Sequence, residues 1–254
     1  MDRRDFLTAG KTKKATPVNP IAFASPTRTL SGINPYTGPW TVNEVIHLLK
    51  RTMFGAKKAD VDFFAAMSMN QAVDALLNVP LAQFTPAPPI KNYANSVDPA
   101  DPDNAIAAGQ TWVNINTNDG SVDSNRTNAY RNWWIGQMVN QNRNILEKMT
   151  LFWHNHFATE TDSIGRAIWC YQNNTVLRKN ALGNFKQFVK EMTTNTGMLR
   201  YQNGYLNTNT APDENYGREL QELFVVGKGA DNATQGYAEA DVKAAAKVLT
   251  GWQI

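Results

Sequence analysis

ILEKMTLFWHNHFA, residues 145–158, decides the fold class, because it reads as a helix with Asn144 standing where an N-cap acceptor is wanted. Two of the chain's three histidines, His154 and His156, lie near its end. On a regular helix, residues two apart point roughly 200° from one another. The pair therefore cannot chelate one ion unless the helix ends or distorts at Asn155. His154 shares a face with Glu147 and Thr150, and His156 shares one with Glu160. The zinc-helix pattern His-Glu-x-x-His, with its spacing of four, is missing.

Outward from this segment the pattern stays helical. Tyr130, Trp133, Trp134, Met138 and Val139 mark a helix beginning near residue 125. Further helices are expected over 164–181, 185–193, 214–226 and 238–249. Asn184, Asp213 and Glu239 lie at or near their starts, and Gly183, Gly197 and Gly227 stop or follow them. Toward the N-terminus, Thr41 with Glu44 makes a capping box. The stripe Val42, Val45, Ile46, Leu49 and Met53 follows, and Gly55 can supply a left-handed stop. Two more helices are expected over 58–67 and 70–77.

Between these blocks, Pro80, Pro86, Pro88, Pro89, Pro99 and Pro102 punctuate a polar stretch running to about residue 123. Few helical turns survive such spacing. A long irregular segment of this kind is either functional or disordered. Strand-like alternation is nearly absent, and no fixed-period repeat is visible. The fold class is therefore mainly α. We expect an irregular helical domain over residues 39–254, with a long Pro-rich insertion and an extended N-terminal tail over 1–38.

Composition narrows function by exclusion. The 254 residues are 42% apolar, enough for a substantial core. The balance of 25 basic and 22 acidic residues, net +3, argues against nucleic acid as a partner. No stretch approaches the ~18 apolar residues of a transmembrane segment. Cys170 is the one cysteine, so neither an internal disulfide nor a thiolate metal cluster can form. It reads as a small core residue. The start MDRRDFLTAG carries Arg3, Arg4, Phe6 and Leu7 in the arrangement of a twin-arginine export signal, which an apolar segment should follow. KTKKATPVNP follows instead, so an unusual export signal and a chance basic start both stay open, and with them a cytoplasmic location.

The second polar cluster is PDENYGRELQELF, residues 212–224. Asp213 opens the helix, and Glu214, Arg218 and Glu222 are spaced by four, as in an ion-pair ladder. Asn215 is a poor former of helix interiors, so another constraint is expected to want it there.

ILEKMTLFWHNHFAT, GMLRYQNG, PDENYGRELQELFVVGKG and YAEADVKAAAKVLTGW, in this order and spacing, resemble the bacterial family called domain of unknown function 1800. HLLKRTMFGA, residues 47–56, is similar to that family's opening helix. The resemblance covers residues 40–252. It implies an exported protein, often encoded beside a sulfatase-like protein that is the expected partner. Family members continue beyond the Thr-Gly-Trp block, which implies that this chain is incomplete at its C-terminus.

Two functional classes compete for the polar residues. In one, the protein is a structural or accessory factor for an exported partner, and His, Asn, Glu and Arg hold helix ends and register. In the other it is a hydrolase-like enzyme. His154, His156, Glu219 and Arg218 would then be catalytic, or His154, His156, Glu219 and Glu222 would hold a divalent metal. Both need the two clusters to meet. Trp133 and Trp134 are expected in the core or on a partner surface. His47 is expected to be packed and hydrogen-bonded.

Overall fold

Thr41 behaves as its sequence context demands. Its side chain accepts from the Asn43 N–H, and its own N–H donates to Glu44 at 2.9 Å, closing the capping box of α1, Val42–Thr52. The computed structural model describes residues 35–227 and 236–254, so the twin-arginine-like start and most of the expected tail lie outside the described residues. Helix α1 ends one residue earlier than a stop at Gly55 requires, because its C-cap, Met53, is already extended. Val45, Leu49 and Met53 bury themselves against Val61 and Phe64 of α2, Lys58–Ala65, and Ala72 and Leu76 of α3, Met69–Leu77. Ser68 and Gln71 form a second capping box at α3. His47 is exposed on α1, not packed.

Residues 78–119 carry two short 3₁₀ turns, Leu81–Phe84 and Pro102–Ala105, and one antiparallel bridge, Ile90 to Thr111. The prolines deny this segment helical hydrogen bonds, and buried charge organises it instead. Asp103 is fully buried. Its Oδ1 accepts from Arg126 Nε and Nη2 at 2.9 and 2.6 Å and from the Tyr93 hydroxyl at 3.0 Å. Lys91 Nζ lies 2.8 Å from Oδ2 as an ion pair. Burial alone would push this carboxyl up, but the bonds from Lys91, Arg126 and Tyr93 outweigh it and hold Asp103 below the usual carboxylate range. Next to it, Asp101 accepts from the Thr117 hydroxyl and the Asp103 N–H, cross-tying the loop.

The Asp119 carboxylate then caps α4, Gly120–Val139, accepting from the N–H groups of Ser121 and Val122. This places the helix start five residues before the expected one. Next come α5, Leu146–His156, the single turn α6, Thr161–Ile164, and α7, Ala167–Asn180. The expected helix over 164–181 is broken because Gly165 turns left-handed at φ 73°. Asn144 does accept from the Leu146 N–H at the start of α5. Helices α8, Phe185–Thr193, and α9, Thr196–Tyr201, complete the middle of the fold. Gly197, expected as a stop, sits inside α9, where a Cβ would come within 3.0 Å of the Trp169 carbonyl oxygen on α7.

Helix α10, Glu214–Glu219, runs into a π-helical segment, Leu220–Val225, and α11, Glu239–Val248, packs across α10. No strand occurs among the described residues, and the fold is mainly α. Pro39–Ile254 forms one compact unit. Helix α7 is its hub, packing against α4, α5, α8 and α9. One core gathers Trp112, Tyr130, Ile164, Ile168 and Cys170, with Trp133 and Trp134 packed against it. The other gathers Phe157, Leu177, Phe188, Met192, Tyr216 and Phe224. Between α5 and α7, Glu147 and Arg178 form a buried two-point ion pair, with Nη2 to Oε2 at 2.9 Å.

Candidate functional site

Helix α5 stays regular through His156, so the two imidazoles diverge as their spacing requires. His156 Nε2 donates to the carbonyl of Phe224 across 2.8 Å. That carbonyl belongs to the last turn of the π segment, where helical partners run out. The rings of Trp153, Phe157 and Phe224 surround the imidazole. The WHNH block and the block of residues 212–224 therefore do meet, but imidazole meets a backbone carbonyl and no carboxylate.

His154 faces the other core. Its ring lies edge-on to Trp134, centroids 5.0 Å apart, at a cavity of about 290 Å³ shared with Tyr130, Ile164 and Cys170. Burial pushes the imidazole below its ordinary value and keeps it neutral. The same burial pushes the Cys170 thiol up to about 12, so Cys170 is an inert core residue.

On α10, Asp213 caps the helix as expected, accepting from the Asn215 N–H. Asn215 occupies the exposed first turn, where its type is tolerated, so no further constraint is needed to explain it. Arg218 makes a two-point pair with Glu239 of α11 at 2.7 and 2.8 Å and reaches Glu214 at 3.5 Å. The ladder does not extend to Glu222, which accepts from the Tyr237 hydroxyl at 3.0 Å. Glu219 is half-buried at the end of α10 and joins no ion pair among the described residues. The set His154, His156, Glu219, Glu222 is thus not brought around one point. Among the described residues, no three His, Cys, Asp or Glu side chains are placed to hold a metal ion. The reason is helical geometry: His154 and His156 leave α5 on opposite sides, and the ring that reaches the π segment is occupied by its backbone.

The structure also assembles a polar groove that sequence reading misses. It lies between the first turns of α4 and the residues joining α6 to α7, encloses about 460 Å³, and includes Asp123, Ser124, Arg131, Asp162 and Arg166 in its walls. Arg131 bonds Thr161 and Asp162, both at 2.6 Å, and this clasp separates the groove from the His154 cavity. Asp123 is only 8% exposed. Its Oδ1 accepts from the Ala167 N–H at 3.3 Å. Burial pushes the Asp123 carboxyl above its usual range, against the pull of that N–H, Arg166 and Arg126. A perturbed acid in a cleft is a site signal, but in the sequence Asp123 stands in an ordinary polar run.

Among known proteins, a family model described as "Protein of unknown function (DUF1800)" matches residues 47–254. No curated protein and no solved structure matches the chain.

Proposed function

Because the chain belongs to the DUF1800 family of proteins of unknown function, and His156, Tyr216 and Arg218 each bond to a carbonyl or carboxylate on a neighbouring element, we propose that it is an exported structural or accessory factor. The observation that carries this reading is the bond from His156 to the Phe224 carbonyl. Arg218 with Glu239, and the Tyr216 hydroxyl donating to the Thr193 carbonyl at 2.8 Å, act in the same sense. Each fixes one helix against another, so these three side chains are engaged in architecture. Export rests on the family resemblance together with Arg3 and Arg4, and the sulfatase-like exported protein is the proposed partner.

The experiment is metal analysis of the purified full-length protein together with His154→Ala and His156→Ala. The proposed role expects no stoichiometric metal and a melting temperature lowered by His156→Ala. Stoichiometric metal that disappears in His154→Ala would overturn it. Export is tested separately by fractionating cells that carry the chain with Arg3 and Arg4 both changed to Lys, which should retain it in the cytoplasm.

One observation favours the enzyme reading: a neutral imidazole, His154, in the wall of a cavity open to solvent suits general-base chemistry of hydrolase type. Hydrolysis of a model ester or phosphodiester that His154→Ala abolishes, while the fold is kept, would replace the accessory reading with this one.

A further inference from the structure

We propose that the groove at the start of α4 binds a short acidic saccharide, with Arg166 holding its carboxylate and Asp123 bonding its hydroxyls. This site is separate from the His-containing blocks and stands or falls independently of their role.

Asp123 is the first reason. It is more than nine-tenths buried, yet its carboxyl receives one long bond, from the Ala167 N–H. Among the described residues Oδ2 has no hydrogen-bond partner, and the side chain lines both the main groove and an adjoining cavity of about 300 Å³. With Oδ1 tied to the backbone, Oδ2 is left to meet solvent or a ligand hydroxyl in the groove that Asp123 lines. A ligand hydroxyl can donate to the carboxylate or accept from the acid, so it suits Asp123 in either protonation state. The charged groups around Asp123 are Arg126 on its own helix and Arg166 before α7, and the Cys170 thiol lies on α7.

Arg166 is the second reason. It is exposed, and its Nη1 donates to the Thr117 carbonyl at 2.7 Å. Among the described residues no carboxylate lies within ion-pair distance of it, whereas Arg131, on the same groove, is paired with Asp162. A guanidinium anchored by one nitrogen keeps its remaining N–H groups for an incoming anion. A carboxylate presents two oxygens side by side, which suits the planar fork of a guanidinium.

The surroundings specify the rest of the ligand. Asn118, Ser124 and Asn128 supply amide and hydroxyl groups that both donate and accept, as vicinal hydroxyls do. The adjoining cavity shares Asn118, Asp123 and Arg166 and adds Trp169 and Ile254. An indole offers an apolar surface to the C–H face of a sugar ring.

The test is a calorimetric titration of the full-length protein with digalacturonate, against cellobiose as the neutral disaccharide, repeated on Arg166→Gln and Asp123→Asn. Arg166 is exposed and Asn is isosteric with Asp, so both variants should fold, and their melting curves check this. We expect saturable binding of digalacturonate, weakened about tenfold or more in each variant, with cellobiose at least about tenfold weaker. Absence of digalacturonate binding, or binding unchanged in both variants, overturns the proposal. Equal affinity for cellobiose, untouched by Arg166→Gln, overturns the role of the carboxylate.

Discussion

His156 and Phe224 stand 68 residues apart in sequence, and the imidazole Nε2 of one lies 2.8 Å from the carbonyl oxygen of the other. This bond joins two of the four blocks on which the family resemblance rests. It also gives a donor to a carbonyl in the last turn of the π segment, where helical partners run short. π-helical turns often mark functional sites; here a ring on another helix donates to the turn's carbonyl.

Replacing His156 by Ala should cost roughly 2 kcal/mol, since it takes the imidazole donor from the Phe224 carbonyl and removes a ring packed among aromatics. His156→Gln, which can reach with an amide N–H, should recover part of that loss. Chemical denaturation of the three proteins measures both. Equal stability of His156→Ala and the parent would remove the structural role assigned to this residue.

Glu147 and Arg178 are both buried, so the pair is asymmetric in its response to mutation. Glu147→Ala strands a guanidinium against the ring of Trp133 and should cost roughly 3–5 kcal/mol. The double variant Glu147→Leu with Arg178→Met removes both charges, and should recover most of that loss. The double-mutant cycle decides this, and additive losses would mean that the two residues are not coupled.

Asp103 neutralises two buried cations, Lys91 at 2% exposure and Arg126 at 1%. Asp103→Asn keeps the shape but leaves Lys91 and Arg126 facing one another, so residues 78–119 should detach from α4. Limited proteolysis should then cut within residues 78–119 far faster than in the parent, with helical circular dichroism largely kept. Equal cleavage rates would show that the prolines and Asp101 hold the segment without this cluster.

What the sequence discloses and what it hides follow from how local each signal is. Thr41 with Glu44, Asn184 and Asp213 announce helix starts because their caps act over two or three residues. The spacing of His154 and His156 already forbids a shared ion on a regular helix, and α5 is regular. Helix α9 is missed because it is six residues long and its Gly197 reads as a break, whereas the glycine is required by the approach of α7. The groove is invisible for a related reason. The polar stretch that reaches Asp123 shows no helical period, and the Asp123 carboxyl meets the Ala167 N–H only 44 residues further along the chain. Lys91, Asp103 and Arg126 likewise look like ordinary surface charges until the chain folds them together.

The pH dependence of stability should carry two opposing signatures that single variants can separate. The folded value of His154 lies below its ordinary value of about 6.5. Between the two, the unfolded chain holds a proton that the native imidazole does not, so stability rises with pH and is lost as pH falls below about 6.5. His154→Phe keeps an aromatic edge for Trp134 and should flatten the melting-temperature profile between about pH 7.5 and pH 5. Asp123 works the other way: its folded value is raised, so the native state holds the extra proton and stability falls as pH rises through that window, beginning near 4. Asp123→Asn should therefore raise stability at neutral pH and remove that fall. Melting curves of parent and both variants across this range test the assignments, and a His154→Phe profile parallel to the parent's would show that His154 is not the group whose protonation unfolds the protein.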